Sequence, residues 1–144
     1  ERVSNIPARI PGRVEKVFIK STGEFVRVGQ PVLELYSPQL ISSGEEYLLA
    51  RKSSRENKSK DFKDLLKQSE ERLNLWGIKE FQLDRWFKNG KVPRNITIYS
   101  PSTGIVQQKN AVVGKYFKEG QNFFELSNLS DVWVQMDVYE HDSA

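Results

Sequence analysis

The chain has 144 residues, 38% of them hydrophobic, and a formal net charge of +3 made from 22 basic and 19 acidic side chains. A chain this long closes one or two small units around a modest core, and its mixed charge argues for solubility and against a nucleic-acid surface. With no cysteine there is no disulfide framework and no thiolate metal site; no apolar run is long enough to span a bilayer or to form a signal region, and Glu1 in place of methionine is what a processed or trimmed chain shows.

In chain order, residues 1–10 carry Val3, Ile6, Ala8 and Ile10 and are predicted to be an edge strand. From Gly12 to Pro38 the sequence GRVEKVFIKSTGEFVRVGQPVLELYSP follows, and it returns as GIVQQKNAVVGKYFKEGQNFFELS from Gly104 to Ser127. A shift of 91 residues pairs Gly23 with Gly114, Phe25 with Tyr116, Val26 with Phe117, Gly29 with Gly120, Gln30 with Gln121, Glu34 with Glu125 and Leu35 with Leu126. A one-residue slip upstream pairs Gly12 with Gly104 and Val14 with Val106. Each copy reads as a strand, a Gly turn, a short apolar step, a Gly-Gln turn and a returning strand. Gly29 and Gly120 are predicted to be left-handed turn positions, where a Cβ would clash, and Gly23 and Gly114 are the matching structural turns.

Between the copies, β-branched alternation gives way to helix formers at helical spacing. The first helix is predicted from Ser37 as N-cap, with Pro38 at the first helical position, to a fraying end near Ser53. Leu40, Ile41, Gly44, Tyr47, Leu48 and Arg51 share one side. After the polar link KSSRENKSK, the second helix spans about 61–76 with Phe62, Leu65, Leu66, Ser69, Leu73 and Trp76 on one stripe and Gly77 as its stop. So short a link requires an antiparallel hairpin. A third helix over 80–88 carries Phe81, Leu83, Trp86 and Phe87, ends at Asn89-Gly90, and completes a small three-helix cluster. Beyond the second copy, Val132, Val134, Met136 and Val138 alternate with Trp133, Gln135, Asp137 and Tyr139, the pattern of a strand that pairs with residues 1–10.

Each copy resembles half of a lipoyl or biotinyl carrier module, and a helical hairpin between two such halves is the layout of the membrane fusion, or periplasmic adaptor, family. The segments GRVEKVFIKSTGEFVRVGQPVLELYSPQL, EEYLLA, RLNLWGI, TIYSPSTGIV and LSDVWVQMDVYE resemble its heavy-metal cation efflux branch, within the resistance-nodulation-division pumps. The resemblance implies an α+β fold: a lipoyl/biotinyl-like β-sandwich, or barrel-sandwich hybrid, over 11–38 and 96–128, split by a helical hairpin over 39–95. Residues 1–10 and 129–144 would then be edges of an incomplete β-barrel domain. It implies a periplasmic subunit, its parent anchored to the inner membrane, that joins an inner-membrane efflux transporter, an outer-membrane channel and neighbouring adaptor copies.

The chemistry readable in the residues agrees with a coupling role. A carrier domain of a cofactor-dependent enzyme, the alternative, needs an exposed lysine at the join of its halves, and here that join holds the insertion. Lys109 beside Asn110 lies inside the second copy and reads as a solvated strand lysine, so no cofactor is expected. His141, Met136, Glu140 and Asp142 cluster near one end, yet one imidazole and one thioether fall short of a transition-metal site. Glu45 and Glu46 are adjacent on a helix and point apart, so they form no acid and base pair. At the hairpin turn Arg51, Lys52, Arg55, Lys58 and Lys60, with Lys63, outweigh Glu56 and Asp61, and are predicted to meet an acidic protein rim or acidic lipid headgroups. No aromatic residue is interleaved with these charges, which argues against nucleic-acid stacking.

Overall fold

A computed structural model describes residues 3–128. The first half of the β-unit comprises β1 (Val3–Pro7), β2 (Gly12–Val17), β3 (Phe25–Val26) and β4 (Pro31–Tyr36). Helices α1 (Pro38–Glu56), α2 (Lys60–Leu75) and α3 (Glu80–Asn89) follow, and the second half is β5 (Ile96–Tyr99), β6 (Gly104–Lys109), β7 (Tyr116–Phe117) and β8 (Asn122–Asn128). Two four-stranded antiparallel sheets result, in the orders β1-β8-β6-β3 and β5-β4-β2-β7. Exchanging the first four strands for the last four converts one order into the other. The repeat therefore folds as one sandwich with an internal pseudo-two-fold relation.

The relation extends to single hydrogen bonds. Gly23 N–H donates to Val106 O and Gly114 N–H to Val14 O, both at 2.8 Å; Gly29 N–H donates to Ser100 O and Gly120 N–H to Ala8 O, also at 2.8 Å. The four glycines have φ between +86° and +91°, a region that a Cβ disfavours. The glutamine after each second turn has a use that composition does not disclose. Gln30 Oε1 accepts from Arg27 N–H at 3.1 Å and Gln121 Oε1 from Lys118 N–H at 2.7 Å, closing equivalent turns with a side chain. Register shifts at Glu15 between β2 and β4 and at Gln107 between β6 and β8 are equivalent too. Such bulges sharpen the local twist.

Residues 1–10 differ from expectation. Val3–Pro7 is a strand of the sandwich, paired along β8 from Val3 with Ser127 to Pro7 with Asn122. It satisfies the outer edge of β8 and buries Ile6, Ala8 and Ile10, each 2% exposed, in the sandwich core. In the repeat it corresponds to β5, which lines the outer edge of β4. The strand predicted at 131–139 lies outside the described residues.

Phe117, Phe123, Phe124, Ile19, Leu33 and Leu35 fill the space between the sheets. The same apolar cluster continues through Leu40, Tyr47, Leu73, Ile78, Leu83 and Trp86 into the helices, so sandwich and helix base share a core. Ser37 caps α1, its Oγ accepting from Leu40 N–H at 3.3 Å, with Pro38 following. Gly77 and Gly90, at φ +92° and +73°, end α2 and α3. The polar link is shorter than expected: α1 runs on to Glu56 and α2 starts at Lys60, leaving Asn57–Ser59 to turn the chain. Lys, Arg and Glu are good helix formers, and α1 keeps its hydrogen bonding through Asn57 N–H to Ser53 O at 2.8 Å.

Close strand approach makes a sharp prediction. A Cβ on Gly104 would collide with Ser127 O and lie 3.1 Å from Leu126 Cβ, whereas one on Gly23 meets nothing within 4 Å. Gly23→Ala should cost about 1–2 kcal/mol through φ alone, and Gly104→Ala about 3 kcal/mol through overpacking. Urea unfolding midpoints for the two variants should fall in that order; equal losses would refute the close-approach account.

Candidate functional site

The helical insertion leaves the sandwich at the end of β4 and returns at the start of β5, and both crossings are tied down. On the outgoing side Ser37 is fully buried. On the returning side Arg94 Nη1 donates to Glu15 Oε1 at 2.6 Å and to Asn95 Oδ1 at 2.7 Å, with its guanidinium 4.1 Å over the Tyr36 ring. Arg13 Nε reaches the other oxygen of Glu15 at 2.8 Å. Hydrogen bonds from Arg94 first and Arg13 second hold the Glu15 carboxyl below its ordinary pKa. Arg9 Nη1 donates to Leu75 O at 3.1 Å and Gln82 Nε2 to Thr97 O at 3.0 Å, while Phe81 stands edge-on to Tyr99 at 5.3 Å. The root of the hairpin is thus braced by strands of both halves. The bonds from Arg94 to Glu15, from Arg9 to Leu75 and from Gln82 to Thr97 have no signal in the sequence, since each joins residues 15 or more apart in the chain.

Away from the root the cover thins. Ten residues of α3 extend about 15 Å and nineteen of α1 about 28 Å, and α3 meets one side of α1 through side chains from Gly44 to Arg55. There Gly44 admits Trp86, whose Cζ3 would lie 3.2 Å from an added Cβ. Further out, the predicted stripe of α2 is only partly covered. Leu73 is buried, Phe62, Leu66, Ser69 and Trp76 are half-buried, and Leu65 is 52% exposed. Leu49, 67% exposed, and Leu65 help line an open groove of ≈ 540 Å³ between α1 and α2.

The five basic residues predicted for the tip divide into two groups. Arg51 Nη1 donates to Tyr47 OH at 3.1 Å and to Asp84 Oδ1 at 2.9 Å, and its guanidinium lies 4.2 Å over the Phe87 ring. Arg55 turns the same way, 5.6 Å over Phe87. Both therefore contact α3. Lys52, Lys58 and Lys60 are exposed and belong to no ion pair among the described residues. Lys60 is the first residue of α2, where the helix macrodipole favours an anion. Its position does not serve the helix.

The other sequence candidates stay apart. Glu46 pairs with Arg72 at 3.5 Å across the hairpin, and Glu45 is exposed. Lys109 Nζ donates to Lys20 O at 3.2 Å. His141, Met136, Glu140 and Asp142 lie outside the described residues, and among the described residues no three His, Cys, Asp or Glu side chains are arranged to hold a metal ion. A carboxyl pair that sequence reading missed joins α2 to α3: Glu70 is pushed above its ordinary pKa by a hydrogen bond with Glu80 first and by burial second. Asn74 Nδ2 donates to Glu80 Oε1 at 3.3 Å beside it.

Two outcomes follow from these contacts. Arg51→Ala removes an ion pair, a phenol bond and a ring contact together and should cost about 1–3 kcal/mol, while Lys52→Ala stays within about 0.5 kcal/mol; urea unfolding distinguishes them. Because the folded pKa of Glu70 is raised, its contribution to stability is fully present below the ordinary glutamate range. That contribution is lost as pH rises through the folded value. Glu70→Gln keeps a hydrogen-bonding group without the charge, so it should unfold later than the parent at alkaline pH and lose that advantage in acid. A pH-independent difference would sink this assignment.

The family model for the CusB barrel-sandwich hybrid domain matches residues 3–127. The cation efflux system protein CusB of Escherichia coli K12 is 25% identical over 135 residues, covering 94% of this chain and 32% of that protein. The putative membrane fusion protein SilB of Salmonella typhimurium is also 25% identical, over 94% of this chain and 30% of its own length. The chain spans about a third of the length of these curated relatives. A putative efflux transporter from Bacteroides eggerthii shares the fold at a TM-score of 0.50 and 14% identity, covering 89% of this chain and 40% of the other. The chain belongs to the CusB barrel-sandwich hybrid domain family of membrane fusion proteins.

Proposed function

We propose that the chain is the central part of a periplasmic adaptor subunit that links an inner-membrane cation efflux transporter to an outer-membrane channel by protein–protein coupling, without catalysis. The observation that carries this reading is the hairpin itself. It is rooted in the sandwich by Ser37, Arg94, Glu15, Arg9 and Gln82, and it ends in three cations without counter-charges among the described residues. A body mounted firmly at one end and charged at the other suits a part that transmits position. The cation efflux name of the Escherichia coli relative supports metal cations as the exported cargo.

In this reading the sandwich over 11–38 and 96–128, extended by β1, packs against neighbouring adaptor copies. The hairpin over 39–95 points to the channel, and residues 129–144 lead into an adjoining β-barrel domain. The site of action is the periplasm, with the parent protein anchored to the inner membrane. No helix among the described residues is long and apolar enough to cross a membrane.

The tip assignment is tested by reversing charge at Lys52, Lys58 and Lys60 together in the parent protein. Exposed charge pairs contribute about 0.2–1 kcal/mol each, so association with the outer-membrane channel should weaken roughly three- to hundredfold. The loss should shrink as salt is added, and cells carrying the variant should tolerate the exported cation less well. Unchanged affinity with an intact circular dichroism spectrum would place the docking contact elsewhere.

A further inference from the structure

A second concave surface lies away from the tip, between α3 and β5. It is a cleft of ≈ 250 Å³ whose walls include Trp86 and Tyr99 and whose polar groups include Arg85, Lys91, Asn89 and Asn95. No carboxylate lines it, and neither Arg85 nor Lys91 takes part in an ion pair among the described residues. Elsewhere Arg13 and Arg94 are answered by Glu15, Arg51 by Asp84 and Arg72 by Glu46, while Arg9, Arg27 and Arg55, like Arg85, belong to no ion pair among the described residues. The helix C-terminus beside Lys91 supplies only about half a negative charge, against two full positive ones. The cleft therefore has an excess of positive potential, and its concave, partly apolar walls concentrate it.

The walls are also held in place. Arg85 lies 5.8 Å from the centroid of the Phe81 ring, and Phe81 stacks edge-on against Tyr99. Gln82 is locked on both sides, its Oε1 accepting from Lys79 N–H at 2.9 Å and its Nε2 donating to Thr97 O at 3.0 Å. Lys91 N–H closes the end of α3 on Trp86 O at 3.2 Å. The wall needs little ordering when something binds, and the cost falls on the two exposed side chains, Arg85 and Lys91.

We infer that this cleft binds an acidic segment of a protein partner, seating one or two carboxylate side chains against Arg85 and Lys91. A water molecule takes roughly 30 Å³, so the volume suits a side chain or two and not a folded element. The mixed walls choose the class of anion. A bare inorganic anion gains nothing from Pro93 and the half-buried Tyr99, whereas the aliphatic stem of a glutamate packs on them while its carboxylate meets the guanidinium and the ammonium.

The test titrates the 144-residue chain with a hexaglutamate peptide, and in parallel with inorganic phosphate, at about 0.15 M ionic strength, followed by amide NMR shifts. Saturable peptide binding should move the Gln82, Trp86 and Lys91 signals, and R85Q/K91Q should weaken it at least about tenfold. K115Q/K118Q, at exposed positions on the sandwich, should leave it unchanged. Equal response to phosphate, equal loss in K115Q/K118Q, or undiminished binding in R85Q/K91Q would each overturn the inference. Both cleft cations are exposed, so the variants are expected to fold, and the amide spectrum verifies it.

Discussion

The reciprocal strand exchange between the two halves is the constraint on which everything else in this molecule rests. In each half the hairpin of the second and fourth strands leaves two edges open, and both are closed by the other half. β7 lies on β2 and β5 on β4, while β3 lies on β6 and β1 on β8. Unpaired edges carry rows of unsatisfied amides and carbonyls, so neither half is a complete fold. Each also donates core side chains to the other: Phe117 on β7 and Ile96 on β5 enter from the second half, Val26 and Ile6 from the first. The halves stand or fall together.

That mutual dependence sets what the insertion can be. The chain between β4 and β5 has only to leave and return without disturbing the two edges, and the shared apolar cluster runs directly from Leu35 and Ile78 to Leu83 and Trp86. The helices consequently add to one core instead of founding another. Arg94, Glu15, Arg13 and Tyr36 then form a polar collar at the returning crossing. Charge-assisted bonds of this kind fix direction more than they add stability at an exposed site.

Features written in local chemistry were legible in the sequence. The repeat could be read because left-handed turns demand glycine and the neighbouring glutamines close them. Ser37-Pro38, Gly77 and Gly90 marked helix ends for equally local reasons. What escaped was decided at a distance. Val3–Pro7 has too little alternation to reveal its partner, and only β8 makes it a strand of this sandwich. Arg51 reads as a solvated tip cation until α3 brings Asp84 and Phe87 to it from more than 30 residues away. The polar run KSSR suggests an end to α1 near Ser53, yet polarity does not stop a helix whose residues favour one, and α1 continues to Glu56. The exposure of Leu65 depends on which side of the hairpin α3 covers, a fact about another element.

The hydrogen bonds of the three-residue turn at Asn57–Ser59 stay within the hairpin, to Ser53, to Lys63 and between Ser59 and Asn57. Adding or removing matched turns of α1 and α2 there changes the reach of the arm by about 5.4 Å per turn and leaves every contact of the sandwich as it was. The design separates a socket from a spacer. A chain with this socket can span a different gap by altering only the number of helical turns, and the short turn is where that gauge length is free to vary.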